Sequence, residues 1–129
     1  MIEKLSTEQL EGILEALPVE LSFVDEHDTL KFWNKHEERF FKVPDSGAGT
    51  AVQDCHPGDS VYKVNEILTD FKTGHRDSAE FWIDNGGRKI YIRFFAVRDR
   101  SSRYLGTLEA TQDITDIKNI EGEKRLLEY

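Results

Sequence analysis

The chain has 129 residues, which fits one domain large enough for a core without covalent staples. Its 38% hydrophobic and 11% aromatic content is too rich for disorder despite 33% charged residues, and a net charge of −8 with dispersed basic residues argues against nucleic acid as a partner. A single cysteine excludes an internal disulfide and suits a reducing, cytoplasmic setting, while no signal-peptide pattern and no apolar run near the ~20 residues of a membrane span is present.

Ser6-Thr7-Glu8-Gln9 has the pattern of a capping box, flanked by Leu5 and Leu10 at hydrophobic-staple spacing. Leu10, Ile13, Leu14 and Leu17 follow at i, i+3, i+4 and i+7, and Pro18 ends the leading helix, set at residues 1–17. Its apolar stripe is expected to pack on a sheet or on a second subunit. Glu20–Asp25 and Thr29–Trp33 read as a hairpin around Glu26-His27-Asp28. Asn34 with Glu37 three residues on predicts a short helix over Lys35–Phe41. Val43 to Thr50 is a loop, with a helical turn near Ala51–Asp54. Asp59 or Ser60 caps the next helix, which buries Val61, Val64, Ile67, Leu68 and Phe71 and ends at Gly74 in a left-handed cap.

Three strands follow, Ala79–Asp84, Lys89–Arg98 and Tyr104–Thr111, the first two joined through Asn85-Gly86-Gly87. In the middle strand Ile90, Ile92, Phe94 and Ala96 share one face and Tyr91, Arg93, Phe95 and Val97 the other, so both faces need cover. Asp113-Ile114-Thr115 then leads into a charged C-terminal helix over 114–129, capped by Asp113 or Thr115. Its apolar positions Ile114, Ile117, Ile120 and Leu127, with Ile13, Leu14 and Leu17, offer a seam for a homodimer. A helix fused to the last strand can carry a change in sheet packing onward, which is the layout of a sensor or signalling module.

Cys55-His56-Pro57 is the most suggestive cluster. Pro57 holds the approach to the long helix extended and aims Cys55 and His56 to different sides. His56 is either a ligand to haem iron or another metal, or a loop-bonding imidazole; Cys55 then fills a small apolar gap. A cysteine–histidine hydrolase fails because adjacent side chains diverge, and His27, His36 and His75 fall in surface segments without metal-ligand spacing. No catalytic constellation emerges, so the chain reads as a non-enzyme. The aromatic residues, Phe81, Tyr91 and Phe95 among them, either fill the core or line a pocket for a small apolar or planar ligand. Arg93 and Glu109 lie on adjacent strands, as a cross-strand ion pair or as ligand-orienting groups. The candidate ligand-binding set is therefore His56, Cys55, Phe81, Tyr91, Arg93, Phe95 and Glu109.

The Asp113-Ile114-Thr115 ending resembles the close of PAS domains, as does the order of Leu17-Pro18, a strand with Asp25, a strand reaching Asn34, and His56-Pro57-Gly58-Asp59 before a helix. Cys55-His56-Pro57, Glu80-Phe81-Trp82-Ile83, Ala96-Val97-Arg98-Asp99, Leu105-Gly106-Thr107-Leu108-Glu109, Thr111-Gln112-Asp113 and Gly122-Glu123-Lys124-Arg125-Leu126-Leu127 are similar to the C-terminal PAS domain of prokaryotic proteins with an upstream hemerythrin-like helical domain. Gly58 stands where that resemblance leads one to expect a second proline and Thr50 where an arginine is expected; both bear on the ligand rather than the fold.

The resemblance implies an α+β fold: a five-stranded antiparallel sheet, short helices on one face, and flanking N- and C-terminal helices around a core at residues 18–113. It implies a non-catalytic sensory or regulatory module that binds a small ligand and relays through its terminal helices. The alternative is a ligand-free domain for dimerisation or docking to an upstream helical domain. Haem-binding PAS domains usually carry the histidine inside the long helix, and Ser60–Thr73 has none, so haem stays open only through His56. Flavin–cysteine PAS domains surround the cysteine with arginine and asparagine or glutamine, whereas here Gln53 and Asp54 precede Cys55 and a histidine follows, which disfavours flavin.

Overall fold

A computed structural model describes residues 1–43, 47–56, 58 and 60–128, without the side chains of Cys55 and Glu128. Five strands, β1 (Glu20–Asp25), β2 (Leu30–Trp33), β3 (Ser78–Asn85), β4 (Arg88–Arg98) and β5 (Tyr104–Asp113), form one antiparallel sheet in the order β2-β1-β5-β4-β3. The first and last strands are therefore central neighbours, and β5 runs beside both β1 and β4. Gly86 and Gly87 take φ values of 57° and 79° between β3 and β4, the left-handed pair that a tight hairpin matched to strand twist requires.

The leading helix α1 (Thr7–Ala16) starts with the full capping box: Gln9 N donates to Ser6 Oγ, and Ser6 N donates to the Gln9 side chain, each at 3.0 Å. The long helix α2 (Val61–Thr73) ends at Gly74 with φ 78° and lays Ile67, Leu68 and Phe71 on one face of the sheet. Val24, Leu30 and Leu68 form the centre of the core, flanked by Trp33, Val43, Val52 and Val64. Burying a side chain such as Phe71 contributes about 2–3 kcal/mol, so this single face supplies much of what holds α2 down. Ser60 occupies the N-cap position without a side-chain capping bond, while Asp59, the other expected cap, and Pro57 lie outside the described residues.

Two expected helices are absent. Between Trp33 and Val43 the chain runs as bends, not as a helix over Lys35–Phe41. Lys35 has φ 54°, which breaks a right-handed helix at its first residue. Asn34 points into the core instead of capping: Leu21 N donates to its Oδ1 at 2.6 Å, and its Nδ2 donates to Leu14 O at 2.7 Å and Val19 O at 3.0 Å.

The segment after β5 is likewise not a helix over 114–129, but two short 3-10 turns, Ile117–Asn119 and Leu126–Glu128. Asp113 and Thr115 are spent on the sheet end. Lys89 N donates to Thr115 Oγ1 at 2.8 Å, and Arg88 Nε donates to Asp113 at 2.7 Å. Ile117, Ile120, Leu126 and Leu127 are exposed, and a helix this short does not hold itself without burying its apolar side. Among the described residues no helix is long and apolar enough to cross a membrane.

Candidate functional site

Strand alternation divides the sheet into two faces. The cross-strand pairs Ser22↔Glu109, Val24↔Thr107, Phe94↔Glu109 and Phe81↔Ile92 put these side chains on the face toward α2. Between that face, α2, the Val52–Cys55 turn and the 39–43 segment lies a partly open cavity of about 490 Å3. Its wall is mainly apolar, with Val24, Ile92 and Phe94 from the sheet and Val64, Ile67 and Leu68 from the helix. Phe81 and Phe94 meet edge-to-face with ring centroids 6.0 Å apart.

Polar groups break this wall, Ser22, Arg39, His56 and Glu109 among them. Arg39 is 6% exposed at its side chain and makes four hydrogen bonds within the protein: Nε donates to Phe41 O at 2.9 Å, Nη1 to Leu21 O at 3.1 Å and Asn34 O at 2.6 Å, and Nη2 to Ser22 Oγ at 2.7 Å. Glu20 lies 3.7 Å from Nη2, and its carboxylate accepts from the backbone amides of Phe40 and, at 3.0 Å, Phe41. Burial lowers the pKa of the Arg39 guanidinium, with Glu20, Glu109 and Glu15 pulling it back up. The pair pins the irregular 39–41 segment to β1. Removing one member of such a buried pair typically costs about 3–5 kcal/mol.

Glu109 differs from Glu20 in having little to hold it. Among the described residues only Thr111 Oγ1, at 3.4 Å, donates to its carboxyl. Burial pushes the Glu109 carboxyl above its ordinary value; the neighbouring His56, the Thr111 hydroxyl and Arg39 oppose the rise, and Glu20 adds to it. His56 lines the same cavity, with Nδ1 3.0 Å from Val52 O. A carbonyl accepts, so Nδ1 carries the proton and Nε2 is the atom left for a ligand or a metal, the orientation that metal-binding histidines use. The described residues contain no cluster of three or more histidine, cysteine, aspartate or glutamate side chains placed for a metal ion.

Of the residues the sequence singled out, His56, Phe81 and Glu109 line the cavity, and the Cys55 side chain lies outside what the structure describes. Tyr91, Arg93 and Phe95 do not belong to it. They alternate with Ile92 and Phe94 and point to the opposite face, where Arg93 opposes Glu80 and Ala110. The expected Arg93–Glu109 pair is therefore corrected: neighbours in register by one residue stand on opposite sides of a sheet. Arg93 instead lays its guanidinium over the rings of Tyr91 at 4.8 Å and Phe95 at 5.6 Å. Tyr91 donates its hydroxyl proton to Glu80, which raises the phenol's pKa. The sequence reading missed Arg39 and Ser22. Arg39 falls within the helix expected over Lys35–Phe41, and its role follows from the irregular path after Asn34. Ser22 was legible in principle, since it shares its strand face with Glu20 and Val24.

Comparison with known proteins bears on most of the chain. The profile of a family described as PAS domain matches residues 10–115. The C-terminal domain of a protein from Streptococcus mutans is similar at 33% identity and a TM-score of 0.84, over 91% of each chain. A sensory box sensor histidine kinase from Vibrio cholerae is similar in fold at 11% identity and a TM-score of 0.58, over 82% of this chain and 89% of that one. The PAS domain of BvgS from Bordetella pertussis gives 16% identity and a TM-score of 0.61, over 84% and 85%. Among curated proteins none matches.

Proposed function

Because the chain belongs to the PAS domain family, we propose that it is a sensory module whose inner cavity takes a small ligand and whose C-terminal segment passes the change on. The PAS fold typically serves sensing, and relatives in fold include sensor histidine kinases. The observation that carries the reading is the cavity itself. Its volume of about 490 Å3 lies within the range of small-molecule sites, and its apolar wall is broken by a few convergent polar groups, Glu109, His56 and Ser22.

The relay runs along β5. Glu109 lines the cavity, and four and six residues further on Asp113 and Thr115 clasp Arg88 and Lys89 at the start of β4. A ligand that binds one arrangement of β5 more tightly than another shifts the population of that junction, and with it the position of residues 114–129. Exposed apolar residues on α1 and at its C-cap (Ile13 and Leu17) and on the C-terminal segment (Ile117 and Ile120) support a homodimer or docking to an upstream helical domain, hemerythrin-like by resemblance. The same residues favour the second reading, a ligand-free interaction domain. One cysteine suits a cytoplasmic setting.

The test is an absorption spectrum of the purified protein together with mass spectrometry of what it releases on denaturation. A released small molecule, or a Soret band, supports the ligand reading. In the Soret case His56→Ala shifts or removes the band if His56 holds the iron, and an unchanged band clears it of that role. A colourless protein that releases nothing favours the interaction reading.

A further inference from the structure

The cavity has a charge gradient from mouth to interior. Lys42 and Lys63 both line it and are exposed, so they stand at its solvent end. Lys63 is paired only loosely with Glu66, at 3.8 Å one helical turn on, and the side chains of that pair are 59% and 56% exposed. Inside, Arg39 lines the cavity with the Glu20 carboxylate behind it, the two charges offsetting each other, and Glu109 presents a buried carboxyl. Four of the five Arg39 N–H donors go to Phe41 O, Leu21 O, Asn34 O and Ser22 Oγ, and the Glu20 carboxylate lies 3.7 Å from Nη2, so Arg39 is already engaged by the protein. An anionic group therefore finds no ready cation inside and is attracted at the rim.

The interior has an unfilled acceptor. Glu109 has one long bond from Thr111 Oγ1, at 3.4 Å, and its carboxyl offers a C=O acceptor in either protonation state. Phe94 stands directly opposite Glu109 in the β4–β5 register and forms the edge-to-face pair with Phe81. Directly opposite residues of neighbouring strands stand about 5 Å apart at their Cβ atoms, so a ring seated against Phe94 lies beside the Glu109 carboxyl.

We infer that the cavity selects a flat aromatic acid: an aromatic body against Phe94 and Phe81, an N–H or O–H donor directed at Glu109, and a carboxylate at the mouth between Lys42 and Lys63. This rests on the cavity being a ligand site, as proposed above.

Isothermal titration of the full chain with three probes tests it: indole-3-propionate, its primary amide, and 1-methylindole-3-propionate. The propionate binds. The amide binds at least about threefold more weakly, having lost the attraction of the rim lysines. The N-methyl compound binds about tenfold more weakly, because it leaves the Glu109 acceptor unpaired. The double variant Lys42→Gln/Lys63→Gln, altered only at exposed positions, binds propionate and amide equally. Equal wild-type affinity for propionate and amide, or for propionate and its N-methyl form, overturns the inference. So does failure of all three probes to bind. If a small molecule nonetheless co-purifies with the chain, only the ligand class falls; if none does, the sensory reading falls with it.

Discussion

Asn34 joins three parts of the chain that are distant in sequence, and its side chain is 0% exposed. It satisfies Leu21 N in β1, Leu14 O in α1 and Val19 O between them. Asn34→Ala orphans all three, and denaturant unfolding is expected to show a loss of about 2–4 kcal/mol; a loss under about 0.5 kcal/mol would contradict this role. The sequence marked Asn34 as polar and local-structure-forming, and nothing in it says that the amide turns inward in place of capping a helix. Glu109 is singled out by the sequence through its expected partnership with Arg93; strand parity removes that partner and leaves Glu109 on the face toward α2. Its environment yields a pH prediction. With the folded pKa raised, its contribution is present in full below the ordinary carboxylate pKa and lost as pH rises through the raised value. Carbon-13 NMR is expected to find the Glu109 carboxyl titrating above the other glutamates, and Glu109→Gln to remove that decline from the stability–pH curve. A midpoint in the ordinary range would contradict the burial that the cavity geometry requires.

At the level of elements, β5 is the one on which the most depends. A Cβ on Gly106 would sit 2.2 Å from the Val24 carbonyl oxygen and 2.6 Å from the Phe23 ring, so β1 must move away. Gly106→Ala is expected to lower unfolding stability by about 2 kcal/mol or more, read by thermal or urea denaturation. At the other end, the Arg88 guanidinium and the Thr115 hydroxyl and amide hold the Asp113 carboxyl down to about 2. Its stabilising contribution is present above the ordinary aspartate pKa and lost as pH falls toward 2. In NMR titration, Arg88→Ala is expected to return the Asp113 midpoint toward the usual carboxylate range; an unmoved midpoint means the pair is not formed.

The strands were readable from alternation and from Gly86-Gly87, because those signals are local. The parity of β4 was not. Both of its faces carry large apolar or aromatic residues, so the pattern reveals two faces without saying which one meets α2. That is why Phe81 and Glu109 face the cavity while Tyr91, Arg93 and Phe95 turn away from it; His56 joins it from the turn before α2. The C-terminal helix failed for a related reason: its stripe is real in the sequence, and within one chain it has nothing to pack against.

For the molecule as a whole, the α+β architecture followed from turn chemistry and from the order of its motifs, while the cavity depended on the irregular 39–43 segment, which no periodicity announces. The apolar surface left outside the core includes Trp82, 60% exposed on β3, and Leu127, 99% exposed near the C-terminus. Covering such surface is what a second copy would do, and multi-angle light scattering is expected to give a dimer mass at high concentration. A monomer mass there counts against the dimer and leaves the cavity untouched.

The cavity is addressed most directly by native mass spectrometry of the wild-type chain beside Val64→Trp, which fills the space between α2 and the sheet. The expected result is a wild-type mass in excess of the polypeptide by one small molecule, lost in the tryptophan variant while the fold is retained by circular dichroism. A bare polypeptide mass for the wild type, or an adduct that survives the filling of the cavity, would contradict it.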